Sequence, residues 1–309
     1  MQIFQTYNIP EKFPNPVLTI GNYDGIHLGH RTIIERVKEH AKALSGTSML
    51  MTFHPHPLRV LRPETELPCI ALMAEKKRLI EETGIDVLIV VPFTKAFSLI
   101  PAETFVGELL VERLGIKGIV IGYDFKFGAG GKGDITLLRE LSSRYGYFVE
   151  VVGAITIDNE KVGSNKIRML IREGNVEKAH HFLGRPFALH GHVVRGHGRG
   201  KGLGYPTINL TTRYNLIPKD GVYITEVKHG GRTYRGVTNI GVNPTFGDNQ
   251  QTVETFILDF DLELYGDDVA LSFLRRIREE KKFSGPEELK KQIDRDVAMT
   301  RQYFEEEGR

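Results

Sequence analysis

Two histidines at a spacing of three, His27 and His30, close the stretch Thr19-Ile-Gly-Asn-Tyr-Asp-Gly-Ile-His-Leu-Gly-His30. An apolar run, Val17 to Ile20, leads in as a strand would, and a helical run from Arg31 to Leu44 leads out. Gly21, Gly25 and Gly29 permit tight turns and close backbone approach. A helix start offers N–H groups and roughly half a positive charge to an anion. The chemistry this allows is triphosphate binding, with the imidazoles stabilising charge as pyrophosphate leaves an α-phosphorus. Read bare, the stretch is a glycine-rich turn with two solvated histidines, and the strand–turn–helix setting favours the phosphate site.

A second glycine-rich stretch, Gly196-His-Gly-Arg-Gly-Lys-Gly-Leu-Gly204, is cationic and runs into Tyr205-Pro-Thr-Ile-Asn-Leu210. Clustered glycines expose N–H groups to phosphate oxygens, and Arg199 and Lys201 add charge. It is not a Walker A loop, because Gly202 follows Lys201 and the next segment reads as extended. Thr207 and Asn209, two apart on one strand face, could supply oxygen ligands to Mg²⁺. Other histidines carry less. His54 and His56 fit a crevice lining and a loop surface equally, while His180 and His181, adjacent on a helix, make a poor metal pair.

These residues need a scaffold. The chain has 309 residues and a net charge of +2, so a prior of about two domains holds and no global charge argues for nucleic acid. The single cysteine, Cys69, has no internal disulfide partner, Met1 to Pro10 lacks a signal-peptide core, and the longest apolar run, Val87 to Phe93, is too short to span a bilayer. The expectation is a cytoplasmic protein with neither membrane nor nucleic-acid partner. Composition leaves the oligomeric state open.

From Pro16 to about Val152, β-branched runs (Val17–Ile20, Ser48–Phe53, Val87–Val91, Gly118–Ile121, Tyr147–Val152) alternate with helical patterns at Arg31–Leu44, Met73–Thr83, Ala102–Leu114 and Thr136–Tyr145. That is the pattern of a parallel sheet in a Rossmann-like α/β layer, with ligands beyond the strand carboxyl ends. Gly21–His30, Thr52–Pro57 and Gly122–Asp134 would converge there. A helix over Ile167–Leu183 ends at Gly184-Arg185-Pro186, which sets the domain boundary: 1–184 and 185–309. Beyond it, runs at Phe187–Val194, Val222–Lys228, Thr233–Ile240, Val253–Phe260 and Val269–Ile277 follow one another without helices, with Gly230-Gly231 as a hairpin turn. This predicts an antiparallel sheet or small barrel. One helix, Pro286 to Phe304, follows, with Ser284 near its N-cap and Leu289, Ile293 and Val297 along one face.

The Gly21–His30 stretch resembles the signature of the nucleotidyltransferase superfamily. Together with Thr52-Phe-His-Pro-His-Pro57, Gly122-Tyr-Asp-Phe-Lys-Phe-Gly128 and Gly133-Asp134, it is similar to bacterial bifunctional riboflavin kinase/FMN adenylyltransferases, the FAD synthetases. In the second half, Gly200-Lys-Gly-Leu-Gly-Tyr-Pro-Thr-Ile-Asn209, Gly221-Val-Tyr223, Thr238-Asn-Ile-Gly-Val-Asn-Pro-Thr245 and Glu254 with Leu258-Asp-Phe260 carry the same resemblance. It implies an enzyme with riboflavin, FMN and ATP as substrates and Mg²⁺ as cofactor.

The resemblance also implies roles. His27 and His30 engage ATP phosphates, with Gly21, Asp24 and Gly29 beside them, and the loop with Asp124 and Phe125 helps form the adenine and flavin pocket. Thr207 and Asn209 hold Mg²⁺–ATP with Gly200, Lys201 and Gly204, Glu254 is general base on the riboflavin 5′-hydroxyl, and Arg278 flanks the flavin. Read bare, Glu254 is a solvated strand carboxylate and Arg278 belongs to a charged surface run. The family's second phosphate motif stands here as Gly163-Ser-Asn-Lys-Ile-Arg168. Ser164 and Arg168 keep the pattern, whereas Gly163 and Asn165 replace hydroxyl residues, which implies weakened or retuned adenylylation. The alternatives are a riboflavin kinase with an impaired adenylyltransferase half, and a non-catalytic flavin or nucleotide sensor.

Overall fold

A computed structural model describes residues 1–195, 204–242, 251–260 and 263–308. It divides into two compact units, Met1–Ser164 and Asn165–Arg309.

The first unit is built on six parallel strands: β1 (Gln2–Phe4), β2 (Val17–Ile20), β3 (Ser48–His54), β4 (Val87–Pro92), β5 (Gly118–Gly122) and β6 (Phe148–Val152), in the order β1-β4-β3-β2-β5-β6. Each central strand buries both faces, so its residues read as continuous apolar runs. Leu18, Met49, Met51, Ile89 and Ile119 point into one core and Val17, Leu50, Leu88, Val90 and Val120 into the other. Four helices fall where the pattern placed them, α1 (Leu28–Ala43), α3 (Met73–Glu81), α5 (Ala102–Thr104) continuing as a π-helix over Phe105–Arg113, and α6 (Ile135–Tyr145), while the short α2 (Pro57–Leu61) and the single turn α4 (Lys95–Ser98) were not signalled. A hairpin of β7 (Thr156–Ile157) and β8 (Glu160–Lys161), with Asp158 and Asn159 at positive φ, was not signalled by apolar alternation. The chain runs from β2 outward through β3 and β4, then returns to β5 on the other side of β2. The crevice between the ends of β2 and β5 is therefore the topological switch point where ligands bind in such sheets.

The second unit opens with two helices, α7 (Ser164–Arg172, its first residue assigned to the first unit) and α8 (Val176–Leu183), where a single helix over Ile167–Leu183 is expected. The break is local chemistry. Gly174 takes φ +79° and Asn175 caps α8 by accepting from Lys178 N at 3.1 Å. Six antiparallel strands follow: β9 (Phe187–Val194), β10 (Thr207–Thr212), β11 (Gly221–His229), β12 (Arg232–Val242), β13 (Gln251–Ile257) and β14 (Asp268–Arg278). They close as β10-β13-β12-β11-β14-β9, with Gly230 and Gly231 at the hairpin between β11 and β12, both at positive φ. Helix α8 packs on β9 and β14.

The last helix, α9 (Pro286–Glu306), starts beside Ser284, as expected. Gly285 occupies the N-cap, and Ser284 uses its N–H and hydroxyl on Glu288 at 2.9 and 2.7 Å. Its fully buried column is Asp296, Thr300 and Phe304, with Phe304 against Ile224 and Leu274. The stripe Leu289, Ile293 and Val297 is only half-buried.

Candidate functional site

The first candidate site grows from the end of β2. Gly21 N donates to Met51 O at 3.1 Å, and the chain then turns through Tyr23 (φ 47°), Gly25 (φ 84°) and Ile26 (φ 42°). A Cβ on Gly25 would lie 2.7 Å from Ile70 Cγ2, so conformation and space both require glycine there. His27 is buried and caps α1, its Nδ1 accepting from His30 N at 3.3 Å. An acceptor at Nδ1 places any proton of the neutral ring on Nε2. The imidazoles of His27 and His30 stack with centroids 3.6 Å apart, and the His30 ring lies 4.8 Å from Tyr23. Burial, then the neighbouring His27 and Lys76, hold the pKa of His30 well below the usual imidazole range.

The turn is secured from three sides. Asp24 is buried, and its carboxylate accepts from Ile70 N at 3.1 Å and Ala71 N at 3.2 Å, so its described contacts pin the segment before α3. The Asn22 carbonyl accepts from Lys76 Nζ at 2.7 Å and from Thr52 Oγ1 at 3.1 Å. Ser164 Oγ donates to Asp24 O at 3.1 Å, which brings Ser164 to the same turn. Arg168, one helical turn on, is buried and donates to Asn165 Oδ1 at 2.7 Å. The residue that replaces a hydroxyl in the motif thus engages the motif's arginine.

The neighbouring loops differ in character. His56 accepts from Leu58 N at 3.1 Å and caps α2, whereas His54 is exposed and its pKa is lowered by partial burial and by Lys76, Lys77 and Arg59. After β5, Asp124 is exposed and Phe125 stacks on Phe127, centroids 5.6 Å apart. Gly128, at φ 71°, has no room for a Cβ, which would meet Ala102 at 2.6 Å. Asp134 caps α6 by accepting from Leu137 N at 3.1 Å.

The second candidate site lies on the barrel. Antiparallel register sets Asn209 of β10 opposite Glu254 of β13, and Glu254 opposite Asn239 of β12. Val253, Thr255 and Ile257 point into the barrel, so Glu254 faces the other way, half-buried. Thr207 stands opposite Phe256 on the same face as Asn209. Tyr205 lies edge-on to Phe256 at 5.1 Å and donates its hydroxyl to Asp294 of α9. Gly204 adopts φ 89°, while Gly200, Lys201 and the Asn243-Pro-Thr245 part of the motif lie outside the described residues.

Arg278 is held by α9. Its guanidinium donates to Asp296 from Nε at 3.1 and 3.0 Å and from Nη2 at 2.7 Å, and to Glu279 O at 2.9 Å. Gln292 supports the same carboxylate at 2.9 Å. Glu280, set against the Gly241 backbone, has its pKa raised by burial and by Asp220. Sequence reasoning missed Lys76, Asp294 and Asp296, and gave Thr52 and Tyr205, inside the motifs it singled out, no role of their own. The available signal was a charged residue on an otherwise apolar helix face, Lys76 with Leu79 and Ile80, and Asp296 four before Thr300 and eight before Phe304.

The fold and the two sites define a class: a Rossmann-like nucleotidyltransferase unit followed by a closed antiparallel barrel and a terminal helix. Residues 9–166 match the family model described as FAD synthetase and residues 183–304 the one described as riboflavin kinase. The chain belongs to the family of bifunctional riboflavin kinases/FMN adenylyltransferases. It is 35% identical over 289 residues to the Escherichia coli (strain K12) bifunctional riboflavin kinase/FMN adenylyltransferase, covering 93% of this chain and 92% of the relative. The Bacillus subtilis (strain 168) protein of the same description is 35% identical over 303 residues, 96% of this chain and 95% of the relative. A solved Streptococcus pneumoniae structure, described as a macrolide-efflux protein, superposes with a TM-score of 0.87 at 30% identity, covering 97% of this chain and 99% of that one. Among the described residues no helix is long and apolar enough to cross a membrane.

Proposed function

We propose that the chain converts riboflavin to FMN and FMN to FAD, each step consuming ATP, in the cytoplasm. The carrying observation is that the two units hold side-chain clusters of different chemistry: stacked imidazoles at a helix start in one, and a carboxylate opposite an amide on a rigid sheet in the other.

In this reading residues 185–309 form the kinase domain. Glu254 accepts the proton of the riboflavin 5′-hydroxyl as its oxygen bonds to the γ-phosphorus and ADP leaves. Thr207 and Asn209 offer a hydroxyl and an amide oxygen, donors that suit Mg²⁺, with Gly200, Lys201 and Gly204 beside the phosphates. When bound, the metal neutralises phosphate charge. Arg278 acts at the flavin edge from a position set by Asp296.

Residues 1–184 form the adenylyltransferase domain. A phosphate oxygen of FMN bonds to the α-phosphorus of ATP and pyrophosphate leaves. His27, His30, Ser164 and Arg168 stabilise the charge that accumulates, with Gly21 and Gly29 giving close approach. Asp24 acts through the turn it pins, and Asp124 and Phe125 line the adenine and flavin pocket. A second reading, a kinase with weak adenylylation, is favoured by the Arg168–Asn165 hydrogen bond.

Chromatography of purified protein with Mg²⁺, ATP and riboflavin tests the proposal: FMN and FAD are expected, and neither product would refute it. Pyrophosphate release from FMN and ATP separates the two readings.

A further inference from the structure

We propose that Lys76 is a positioning residue of adenylyl transfer: its buried ammonium fixes the Asn22 carbonyl and with it the turn that presents His27 and His30. The inference rests on the adenylyltransferase reading of that turn. A lysine on a helix face shared with Leu79 and Ile80 is an expensive choice, because an ammonium loses its hydration there and needs a partner. Lys76 is 6% exposed, and its Nζ donates to Asn22 O at 2.7 Å.

Asn22 sits between Gly21 and Tyr23, and Tyr23 holds φ 47°, a conformation that a bulky side chain adopts only under constraint. The constraint is visible. Thr52 from β3 and Lys76 from α3 donate to the same carbonyl from two flanking elements, orienting the peptide that enters Tyr23. The Tyr23 ring in turn lies 4.8 Å from His30, which stacks on His27. One ammonium therefore sets a chain of contacts that ends at both imidazoles.

The same charge acts through space. Among the described residues, the titratable groups shown against His30 are His27 at the start of α1, Lys76 from α3 and the phenol of Tyr23 within the turn. After burial and His27, the Lys76 charge is a further cause that lowers the His30 pKa. Its removal lets the imidazole bind a proton more readily.

The test uses the full chain and compares Lys76→Met with Lys76→Arg. For Lys76→Met, FAD formation from FMN should fall at least tenfold in kcat, FMN formation from riboflavin should stay within twofold, and the NMR titration midpoint of labelled His30 should move upward. Lys76→Arg, which keeps donor and charge, should restore the midpoint and most of the FAD rate. An unchanged FAD rate in Lys76→Met overturns the proposal. So does a reduced rate with an unmoved His30 midpoint and no rescue by arginine, since that is the outcome of a merely structural lysine. If Lys76→Met does not fold, Lys76→Gln, which keeps a donor and removes the charge, decides: reduced FAD formation with an upward His30 midpoint is expected, and an unmoved midpoint or an unchanged FAD rate overturns the assignment. A wild-type chain that forms FMN but no FAD would instead defeat the adenylyltransferase reading, and the His30 titration would still judge Lys76.

Discussion

Asn209 and Glu254 lie directly opposite one another on β10 and β13, in a register that also sets Glu254 opposite Asn239. An amide oxygen that can hold a metal and a carboxylate that can take a proton are thereby fixed across one rung of a closed sheet. Rigid strands make better supports for such geometry than loops do.

Replacing Glu254 with glutamine keeps shape and removes the base. FMN formation should fall by about 10²–10⁴-fold, in the range of general-base contributions, while adenylylation of supplied FMN persists. Equal loss of both activities in separate product assays would refute the division of labour.

His30→Ala removes an imidazole stacked 3.6 Å from His27 and facing Tyr23. FAD formation should drop by about 10²–10³-fold, the scale of losing one preorganised stabilising group, with kinase turnover intact. Steady-state rates from FMN and from riboflavin check both halves of this expectation.

Asn165 accepts from Arg168 at 2.7 Å, which draws the guanidinium toward its own helix turn. Asn165→Thr restores a hydroxyl and removes that acceptor. Pyrophosphate release with FMN and ATP should rise several-fold, and an unchanged or lower rate would show that Asn165 does not restrain adenylylation.

Asp296 is 2% exposed and holds Arg278 through three hydrogen bonds. Asp296→Ala leaves a half-buried guanidinium without its counter-charge, a loss of about 3–5 kcal/mol when a buried pair is broken on one side. Urea unfolding should register the loss, and flavin affinity of the kinase should weaken as β14 and α9 separate. A substitution of both partners by apolar residues should recover much of the stability.

The stability of the first unit should depend on pH through His30. Its folded pKa is depressed by burial, His27 and Lys76, whereas an unfolded imidazole titrates at 6.5. Above pH 6.5 both states are neutral and the stability is fully present. As pH falls from there toward the folded pKa, the unfolded chain binds a proton that the folded chain refuses, and stability declines by at most about 1.4 kcal/mol per pH unit for this group. Hydrogen exchange of α1 amides at pH 7 and pH 5.5 measures the decline, and His30→Asn should flatten it.

What the sequence determined by itself was whatever short-range pattern encodes. Alternation of β-branched runs with helical periodicity specified the α/β unit, a glycine pair specified the β11–β12 hairpin, and the Gly21–His30 stretch specified a turn that delivers His27 and His30 to a helix start, because each follows from local geometry. The helix break at Gly174 was also local, yet periodicity ran through it, since apolar residues recur on both sides. What only the tertiary structure decided were relationships between distant residues. Lys76 meets Asn22 across 54 positions, Arg278 meets Asp296 and Tyr205 meets Asp294. No spacing rule records such pairs: a buried charge is tolerated only where folding delivers its partner, and that delivery is a property of the packed elements.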